Sequence, residues 1–446
     1  MDDSALRSLF HQHVWQPFTQ MKLAGEPHFI ERGKGALLVT RDGQEIVDAI
    51  GSWWVNIHGH SHPKINAAIA NQAEALEHVI FAGLSHAPGV ELAARLSATT
   101  NHHLPRVYYS DNGSTAIEIA LKMAYQFFQN KGAVHKREFI SLTGAYHGDT
   151  IGTMSVGARS VFHEMYADLL FDTHYVSPPA VAFENWHIVD ESHPAIQTAL
   201  TELEELLSAK STQICALLVE PLVQGASAAF AMYPPAYLRA AFQLCKEYDV
   251  FTIADEVFTG SGRTGRYYAC EHAGVWPDIM ALSKGLSGGY LPLAATLCSE
   301  KIYQGFYSDN RAHTLFHGHS MTGNPLGCAA ALASLDLFTA ENTLQRVQEL
   351  EQHYRKLAAE LLAGPLAAFT KEVRILGSIF ALELAADLQY TSDFGWQVMQ
   401  RSIAGGVLLR PLGKVIYMTP PYCISSAQLE KAFSVLHSVL LELLAD

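Results

Sequence analysis

One lysine and one aspartate stand where apolar segments of this sequence end. Lys284 comes just after the run Ile279–Leu282 and before a glycine-rich turn, and Asp255 ends the run that begins at Phe251. A lysine amine forms a Schiff base with an aldehyde, and an aspartate pairs with a ring nitrogen and keeps it protonated. The two residue types at strand-like ends therefore indicate a site that holds an aldehyde-bearing ring at two points.

Pyridoxal phosphate (PLP) is the cofactor whose chemistry requires this pair. Lys284 would supply the covalent attachment, and Asp255 would keep the pyridine ring able to withdraw electrons. We therefore predict that Lys284 and Asp255 are catalytic residues at the carboxyl ends of two strands.

Two further residues follow predicted strands. Glu220 ends the apolar run that starts at Ile214, and Tyr146 comes after the strand-like segment Glu138–Leu142. The carboxyl ends of parallel strands line the ligand crevice of a sheet, and a lone buried charge is costly, so Glu220 is assigned to the same site. The ring of Tyr146 is suited to stacking on a flat cofactor, with an ordinary surface aromatic as the alternative.

The segment Ser110–Glu118 joins a predicted strand to a predicted helix. Thr115 and Glu118 fit a capping box, and Gly113 lets the backbone approach a ligand closely. Ser114 adds N–H and hydroxyl donors at the helix N-terminus, where anions bind readily. We predict that this turn holds the phosphate; an ordinary capped helix fits the same residues.

Two glycine patterns suggest other chemistry. Gly260–Gly265 fits GxGxxG, but the residues before Pro277 are too few for the long helix of a dinucleotide-binding unit. Gly285–Gly289 fits GxSxG, but the residues Tyr290–Pro292 begin another strand where a serine hydrolase needs a helix. We therefore expect neither a nicotinamide site nor a hydrolase nucleophile.

Alternating histidines suggest a metal site at two places. They are His58, His60 and His62 in one segment and His317 and His319 in another. Each set lies among Gly, Ser, Asn and Pro, without a carboxylate at ligand spacing. We therefore expect loop histidines near a polar site, and no metal.

Short apolar runs alternate with helical patterns between residues 60 and 335, which is typical of a mostly parallel sheet. After residue 340 a charged helix, four strand-like pieces and an amphipathic helix indicate an α+β unit. We predict an α/β fold with a large domain over residues 61–335, a small α+β domain over 336–446, and an N-terminal segment, 1–60, that packs with the small domain. The predicted strands of the large domain are Arg106–Tyr109, Glu138–Leu142, Ile214–Glu220, Val250–Asp255, Ile279–Leu282 and Leu293–Leu297.

Composition narrows the class of protein. The 446 residues carry a net charge of −14, which argues against nucleic acid or an anionic membrane as the main partner. No run of about 18 apolar residues appears, and the acidic N-terminus lacks the apolar segment of a secretory signal. The six cysteines are scattered without a CxxC motif, as in reduced cytoplasmic proteins. We therefore expect a cytoplasmic enzyme with ample core.

One long motif surrounds Asp255 and Lys284. It consists of Ile253-Ala254-Asp255-Glu256-Val257, Gly260, Gly262-Arg263-Thr264-Gly265, Pro277-Asp278 and Ser283-Lys284-Gly285. This motif resembles the signature of the class III (ω-type) PLP-dependent aminotransferases, and the resemblance extends from about Trp15 to Tyr422. Four further motifs are Trp15–Met21, Trp53–His60, Tyr146–Thr150 and Arg410–Tyr417. Through them the chain resembles, within that class, the enzymes that transfer an amino group from S-adenosylmethionine to 8-amino-7-oxononanoate in biotin biosynthesis.

The resemblance implies a fold-type-I homodimer with PLP as cofactor and active sites at the subunit interface. By this resemblance, Lys284 is the Schiff-base lysine and Asp255 holds the pyridine nitrogen. The remaining cofactor roles are phosphate binding by Gly113 and Ser114, ring stacking by Tyr146, and a phosphate contact from the neighbouring subunit by Ser320.

The resemblance also implies a substrate pocket and leaves the amino donor open. Arg410 would pair with the oxononanoate carboxylate, and Trp53, Trp54 and Tyr417 would line the pocket. Phe18 stands where the family usually has tyrosine, and some relatives with phenylalanine there use L-lysine as donor in place of S-adenosylmethionine. The Gly318-His319-Ser320 sequence also resembles those relatives. An ω-aminotransferase for ornithine, 4-aminobutyrate or a diamine would share the cofactor residues.

Overall fold

The computed structural model describes residues 1–186 and 188–444, and a seven-stranded sheet lies at the centre of that part of the chain. Strand Ala294–Cys298 is antiparallel to both of its neighbours, and the other strand pairs are parallel. The predicted mostly parallel α/β sheet is therefore confirmed. In spatial order the strands are Arg106–Ser110, Ala294–Cys298, Ile279–Leu282, Phe251–Asp255, Ile214–Val219, Glu138–Leu142 and His174–Val176.

Helices cover both faces of this central sheet, which is why its strands are apolar throughout. Phe251 and Ile253 pack in the same core cluster as the helix Gly113–Asn130, whereas Ala254 packs on the opposite face with the helix Pro235–Glu247. The helices around the sheet are Pro63–Ala75, Ala87–Thr99, Gly113–Asn130, Ile151–Val156, Pro194–Lys210, Pro235–Glu247, Cys270–Ala273, Glu300–Gln304 and Pro325–Ala340.

A second core lies around an antiparallel sheet formed by the C-terminal part of the chain. Its three strands, within the described residues, are Thr370–Leu376, Ile379–Leu384 and Val415–Met418. The apolar faces of the surrounding helices complete this core. These helices are Thr343–Leu362, Asp393–Ala404 and Ser426–Leu444.

The N-terminal part of the chain joins this second core through strand pairing. Val47 lies opposite Val407, so a strand near the N-terminus runs parallel to one from the C-terminal part. The strands of this sheet are Ile30–Lys34, Leu37–Thr40, Glu45–Asp48 and Val407–Leu408. The first helix is Asp3–His13. Elsewhere in the chain, a two-stranded hairpin pairs Val223–Gln224 with Ala231–Met232. The division of the chain into the three segments 1–60, 61–335 and 336–446 stays a prediction.

The six strands predicted for the large domain are present, with ends shifted by at most one residue. The edge strand His174–Val176 was not predicted, because three residues are too few to show a periodic pattern. No helix within residues 1–186 and 188–444 is long and apolar enough to cross a membrane.

Candidate active site

Three adjacent parallel strands bring Asp255, Glu220 and Lys284 together at one edge of the central sheet. Each residue lies at the carboxyl end of its strand or within two residues of it, and parallel neighbours end at the same edge. All three side chains line one cavity of about 520 Å³. Of the other residues predicted for the site, the same cavity wall contains Trp54, Gly113, Ser114 and Tyr146.

Asp255 is buried, and His147 holds its carboxylate in place. The oxygen Oδ2 of Asp255 lies 2.8 Å from His147 Nδ1, and Oδ1 accepts a hydrogen bond from the Val257 N–H at 3.1 Å. The His147 side chain is itself fully buried. Two such contacts fix the direction of the carboxylate, as a partner for a protonated ring nitrogen requires.

His147 is a site residue that the sequence interpretation missed. It stands next to Tyr146 in the motif Tyr146–Thr150, but it is 108 residues from Asp255 along the chain. A signal within the sequence was its position after a strand that ends at the same edge of the sheet as Asp255.

Lys284 begins a short 3-10 helix after its strand, with a φ of +43°. Its Nζ lies 5.0 Å from the centre of the Trp54 ring and 5.9 Å from that of Phe258, so the amine lies against an aromatic wall. Burial lowers the pKa of Lys284, and the nearby carboxylates of Asp255 and Glu220 offset this only in part. A lowered pKa leaves more of the amine in the neutral, nucleophilic form.

Glu220 accepts hydrogen bonds from two backbone groups beside the cavity. Its Oε2 accepts from the Tyr146 N–H at 2.9 Å, and its Oε1 accepts from the Gly225 N–H at 2.7 Å. Burial nevertheless raises the pKa of Glu220 to about 7, because removing the charged form from water outweighs these bonds. The carboxyl group therefore fixes the Tyr146 backbone and titrates near neutral pH.

The Tyr146 side chain is also held in place. Its hydroxyl donates a hydrogen bond to Asp149 Oδ2 at 2.9 Å. Its ring stacks on His163, with ring centres 5.7 Å apart and planes 13° from parallel. A flat ring fixed in this way at the cavity wall is suited to stacking on a planar ligand.

The helix Gly113–Asn130 begins with a capping box that differs from the predicted one. Asn112 is the N-cap: the Thr115 N–H donates to Asn112 Oδ1 at 3.0 Å, and the Asn112 N–H donates to Thr115 Oγ1 at 3.2 Å. Glu118 instead accepts a hydrogen bond from the Gly152 N–H at 2.8 Å. The prediction was wrong because asparagine is an equally good N-cap and here has the extended backbone which that position needs.

Gly113 and Ser114 form the first turn of this helix at the cavity wall. A Cβ on Gly113 would lie 2.6 Å from Val257 Cγ1, so packing against Val257 requires glycine there. The first turn of a helix has N–H groups without intrahelical partners and a partial positive charge. This turn is therefore suited to hold a phosphate group.

Trp53 and Trp54 lie on a left-handed turn of the backbone. The φ values of Gly51, Ser52, Trp53 and Trp54 are +56°, +46°, +71° and +73°. A Cβ on Gly51 would lie 2.8 Å from the carbonyl oxygen of Thr419, which excludes other residues there. Ser52, Trp53 and Trp54 each cost about 1–2 kcal/mol of conformational free energy in the left-handed region. Such strain persists only where the surrounding structure enforces it.

Phe18, Trp53 and Arg410 form a cluster next to the cavity but outside its wall. The guanidinium carbon of Arg410 lies 4.3 Å from the centre of the Trp53 ring, and Phe18 meets the same ring edge-on at 5.4 Å. In the part of the chain that the structure describes, no carboxylate lies within 4.0 Å of an Arg410 nitrogen. Tyr417 is buried against Trp54, with ring centres 5.8 Å apart, and also lies outside the wall.

Gly318 and Ser320 are exposed and do not line the cavity of this chain. Their segment is fixed beside the helix Gly113–Asn130, since Lys122 Nζ donates a hydrogen bond to the Phe316 carbonyl oxygen at 2.8 Å. A role for both residues in the site of a neighbouring subunit therefore stays a prediction.

The glycine patterns lack the structures that their alternative functions need. The helix that follows Gly260–Gly265 is the four-residue Cys270–Ala273, too short for a dinucleotide-binding unit. Ser287 is buried in a 3-10 helix and donates its hydroxyl hydrogen to the Leu291 carbonyl oxygen at 2.6 Å. Neither pattern provides a second site.

The alternating histidines each have a different partner. His58 Nε2 lies 3.0 Å from Ser334 Oγ, and His60 Nε2 lies 2.9 Å from Asp48 Oδ2. Within the ranges 1–186 and 188–444, no group of three or more His, Cys, Asp and Glu side chains is placed to hold a metal ion.

The residues around the cavity fit PLP. Lys284 presents an amine with a lowered pKa, and Asp255 presents a carboxylate fixed by His147. The helix start at Gly113 and Ser114 offers N–H groups for a phosphate. An aldehyde, a ring nitrogen and a phosphate are the three points at which a protein holds this cofactor, and one cavity contains a group for each.

Comparison with known proteins agrees with this geometry. The family model described as aminotransferase class-III matches residues 21–440. An adenosylmethionine-8-amino-7-oxononanoate aminotransferase from Synechococcus elongatus is 44% identical over 97% of this chain and 99% of its own length. The enzyme of the same name from Geobacter sulfurreducens is 41% identical over 96% of each chain.

Solved structures give the same result. The crystal structure of the enzyme with that name from Methanocaldococcus jannaschii matches with a TM-score of 0.91, at 35% identity and over 99% of both chains. A PLP-bound amine transaminase from an uncultivated Pseudomonas species matches with a TM-score of 0.85, at 32% identity and over 96% of this chain and 98% of its own. The chain therefore belongs to the class III aminotransferases, a family of PLP-dependent enzymes of fold type I.

Proposed function

We propose that this chain transfers an amino group from S-adenosylmethionine to 8-amino-7-oxononanoate, giving 7,8-diaminononanoate for biotin biosynthesis. The observation that carries the proposal is the convergence of Lys284, Asp255 and the helix start at Gly113 on one cavity, with Arg410 beside it. The relatives from Synechococcus elongatus and Geobacter sulfurreducens, named after this reaction, support the choice of substrates.

In this proposal the cavity residues hold PLP at three points. Lys284 holds it covalently, Asp255 pairs with the ring nitrogen, and Gly113 and Ser114 bind the phosphate. When bound, PLP supplies an aldehyde that takes up an amine and a ring that withdraws electrons from the substrate carbon. Tyr146 stacks on the ring.

Glu220 supports these contacts. Its hydrogen bond to the Tyr146 N–H keeps that residue at the cavity wall, where its side chain is needed for stacking. Because its pKa is raised to about 7, Glu220 carries only part of a negative charge at neutral pH.

Lys284 also moves the proton on which transamination depends. Its Nζ takes a proton from the α-carbon of the amino donor as a general base, and the lowered pKa of the amine suits this task. The Trp54 and Phe258 rings lie near Nζ and limit the access of water to it. Because donor and acceptor would share one site, we expect them to react in turn, with ping-pong kinetics.

Arg410 would recognise the carboxylate of 8-amino-7-oxononanoate. Its guanidinium carbon lies over the Trp53 ring, and its N–H groups suit a bidentate pair with a carboxylate. Trp53 and Trp54 would contact the apolar chain between the carboxylate and the ketone, and the buried Tyr417 packs behind Trp54 and supports it.

The donor has a second candidate, L-lysine, because of Phe18. This residue contacts Trp53 and Phe162 through its ring and has no hydroxyl to offer to a donor. The test is to mix the PLP-loaded protein separately with S-adenosylmethionine and with L-lysine, and to follow the visible absorbance of the bound cofactor. Addition of 8-amino-7-oxononanoate then shows by mass spectrometry whether 7,8-diaminononanoate forms.

Each outcome of this experiment has a definite meaning. Product with S-adenosylmethionine alone supports the proposal, and product with L-lysine alone makes Phe18 the marker of a lysine-dependent enzyme. No product with either donor rejects the proposal in favour of another ω-aminotransferase, for which ornithine, 4-aminobutyrate and diamines are the next substrates.

The proposal includes a homodimer in the cytoplasm. Gly318 and Ser320 would complete the phosphate and substrate site of the neighbouring subunit, and their exposure in the single chain is compatible with this. We also propose that residues 61–335 form the PLP-binding domain and residues 336–446 the small domain, with which the segment 1–60 packs. The pairing of Val47 with Val407 supports this division.

A further inference from the structure

We propose that Asp48 and Ser52 are positioning residues that hold the left-handed turn Gly51–Trp54, and thereby set the direction of Trp53 in the substrate pocket. The inference rests on the proposed function in one respect only, that the Trp53–Arg410 cluster binds substrate. Neither residue lines the cavity, so both act through the backbone of the turn.

The carboxylate of Asp48 is fully buried and receives hydrogen bonds on both oxygens. Oδ1 accepts from the Ser52 N–H at 2.9 Å and from the Ile50 N–H at 3.4 Å. Oδ2 accepts from the Ser52 hydroxyl at 2.8 Å and lies 2.9 Å from His60 Nε2. Ser52 is thus bound to one carboxylate through both its backbone and its side chain.

The hydrogen-bond network also assigns the tautomer of His60. Asn56 Oδ1 accepts a hydrogen bond from the Gly59 N–H at 2.8 Å, so the amide nitrogen of Asn56 faces His60 Nδ1, at 3.2 Å. Nδ1 is then the acceptor, and Nε2 carries the hydrogen that is donated to Asp48. Hydrogen-bond donors therefore face both carboxylate oxygens of Asp48. An asparagine in its place would turn its own amide N–H toward one of these donors.

Arg263 holds the other end of the turn, at Trp54, through a hydrogen bond. This buried side chain donates from Nη2 to the Trp54 carbonyl oxygen at 3.1 Å, and from Nη1 to the Thr419 carbonyl oxygen at 3.1 Å. Trp53 lies between Ser52 and Trp54, which are both held by these hydrogen bonds, and its ring contacts Phe18 and Arg410. The direction of the Trp53 ring therefore depends on the left-handed backbone on either side of it.

Loss of the Asp48 contacts would let Ser52 leave the left-handed region, because serine does not favour it. The peptide before Trp53 would then rotate, and the indole would move away from Arg410. Lys284, Asp255 and the start of the helix at Gly113 belong to the central sheet and its connections, so cofactor binding would be preserved. The expected signature is a defect in substrate recognition without loss of PLP.

Asp48→Asn in the PLP-loaded full chain tests this directly. We expect the KM for 8-amino-7-oxononanoate to rise about tenfold, with a smaller change in kcat and an unchanged PLP content. Ser52→Val should have the same effect, since a β-branched residue is strongly disfavoured at positive φ. Both variants should also change the near-ultraviolet circular dichroism of the tryptophans.

Glycine at position 52 provides the rescue. Because glycine adopts the left-handed conformation freely, adding Ser52→Gly to Asp48→Asn should return the KM to within about threefold of the unmodified protein. The control for strain alone is Asn101→Val, which puts valine at an exposed residue with a φ of +49° outside the cavity wall. It should leave KM and the tryptophan signal unchanged.

Three results would overturn the inference. The first is an unchanged KM in both Asp48→Asn and Ser52→Val, and the second is a loss of bound PLP in these variants as large as the change in KM. The third is a KM that Ser52→Gly does not restore. If Asp48→Asn does not fold, the comparison of Ser52→Val with Ser52→Gly decides. If the unmodified protein makes no 7,8-diaminononanoate, the proposed function fails, and the tryptophan dichroism of Ser52→Val still tests the inference. An unchanged signal would then reject it.

Discussion

Replacing Arg410 by alanine should separate the two halves of the reaction. The guanidinium lies over the Trp53 ring and has no carboxylate partner within residues 1–186 and 188–444. In our proposal it pairs with the carboxylate of 8-amino-7-oxononanoate, which is at the far end of that substrate from the reacting ketone. The donor would place its amine at the cofactor without this distant contact, so its half-reaction should change little.

The size of the effect follows from the interaction that is lost. A hydrogen bond to a charged group contributes about 1.5–3 kcal/mol, which corresponds to about 10- to 150-fold in kcat/KM for 8-amino-7-oxononanoate. Arg410 is half-buried, which places its pairing within this range and not at the lower value of a fully exposed ion pair. The donor half-reaction should slow by less than about threefold.

Rapid mixing with each substrate separately, followed by the visible absorbance of the bound cofactor, measures the two rates. Arg410→Lys should give an intermediate loss, because lysine keeps the charge but not the planar pair of donors. Arg355→Ala, at an exposed residue paired with Glu351, is the control for loss of an arginine. Equal losses in both half-reactions, or no loss in either, would refute the assignment of Arg410.

Three changes near the cofactor have definite expected results. His147→Ala should weaken PLP binding about tenfold or more in a spectrophotometric titration of the apoprotein, because Asp255 loses a charge-assisted hydrogen bond; unchanged affinity would contradict its positioning role. For Glu220, a folded pKa raised from 4.5 to about 7 means that ionisation opposes folding. From pH 5 to 8 the free energy of unfolding of the apoprotein, measured with urea, should therefore fall by about 2–3 kcal/mol more than in Glu220→Gln, and equal slopes would refute this. Phe18→Tyr should raise the activity with S-adenosylmethionine relative to L-lysine, and an unchanged donor ratio would remove Phe18 from donor choice.

The central sheet and the convergence of Lys284, Asp255 and Glu220 were predictable from the sequence. Each residue follows an apolar run that is buried on both faces, and parallel strands end at the same edge. Charged residues at the ends of such runs are rarely accidental, since burial of an isolated charge is costly. Local pattern and the geometry of parallel sheets were sufficient for this part of the site.

Other features depend on contacts that no local pattern contains. The pair of His147 and Asp255 joins distant parts of the chain, and the left-handed turn at Gly51–Trp54 is enforced by Asp48 on one side and Arg263 on the other. The strand Ile30–Lys34 is mostly exposed and so has no apolar periodicity to predict it. These features follow from the tertiary structure, which overrides the local preferences of the residues involved.

Borohydride reduction of the PLP-loaded protein, followed by proteolysis and mass spectrometry, tests the central claim most directly. Reduction should attach the cofactor irreversibly to Lys284, and the added mass should be found on the peptide that contains Ser283-Lys284-Gly285. The cofactor on any other lysine, or on none, would contradict the assignment of Lys284.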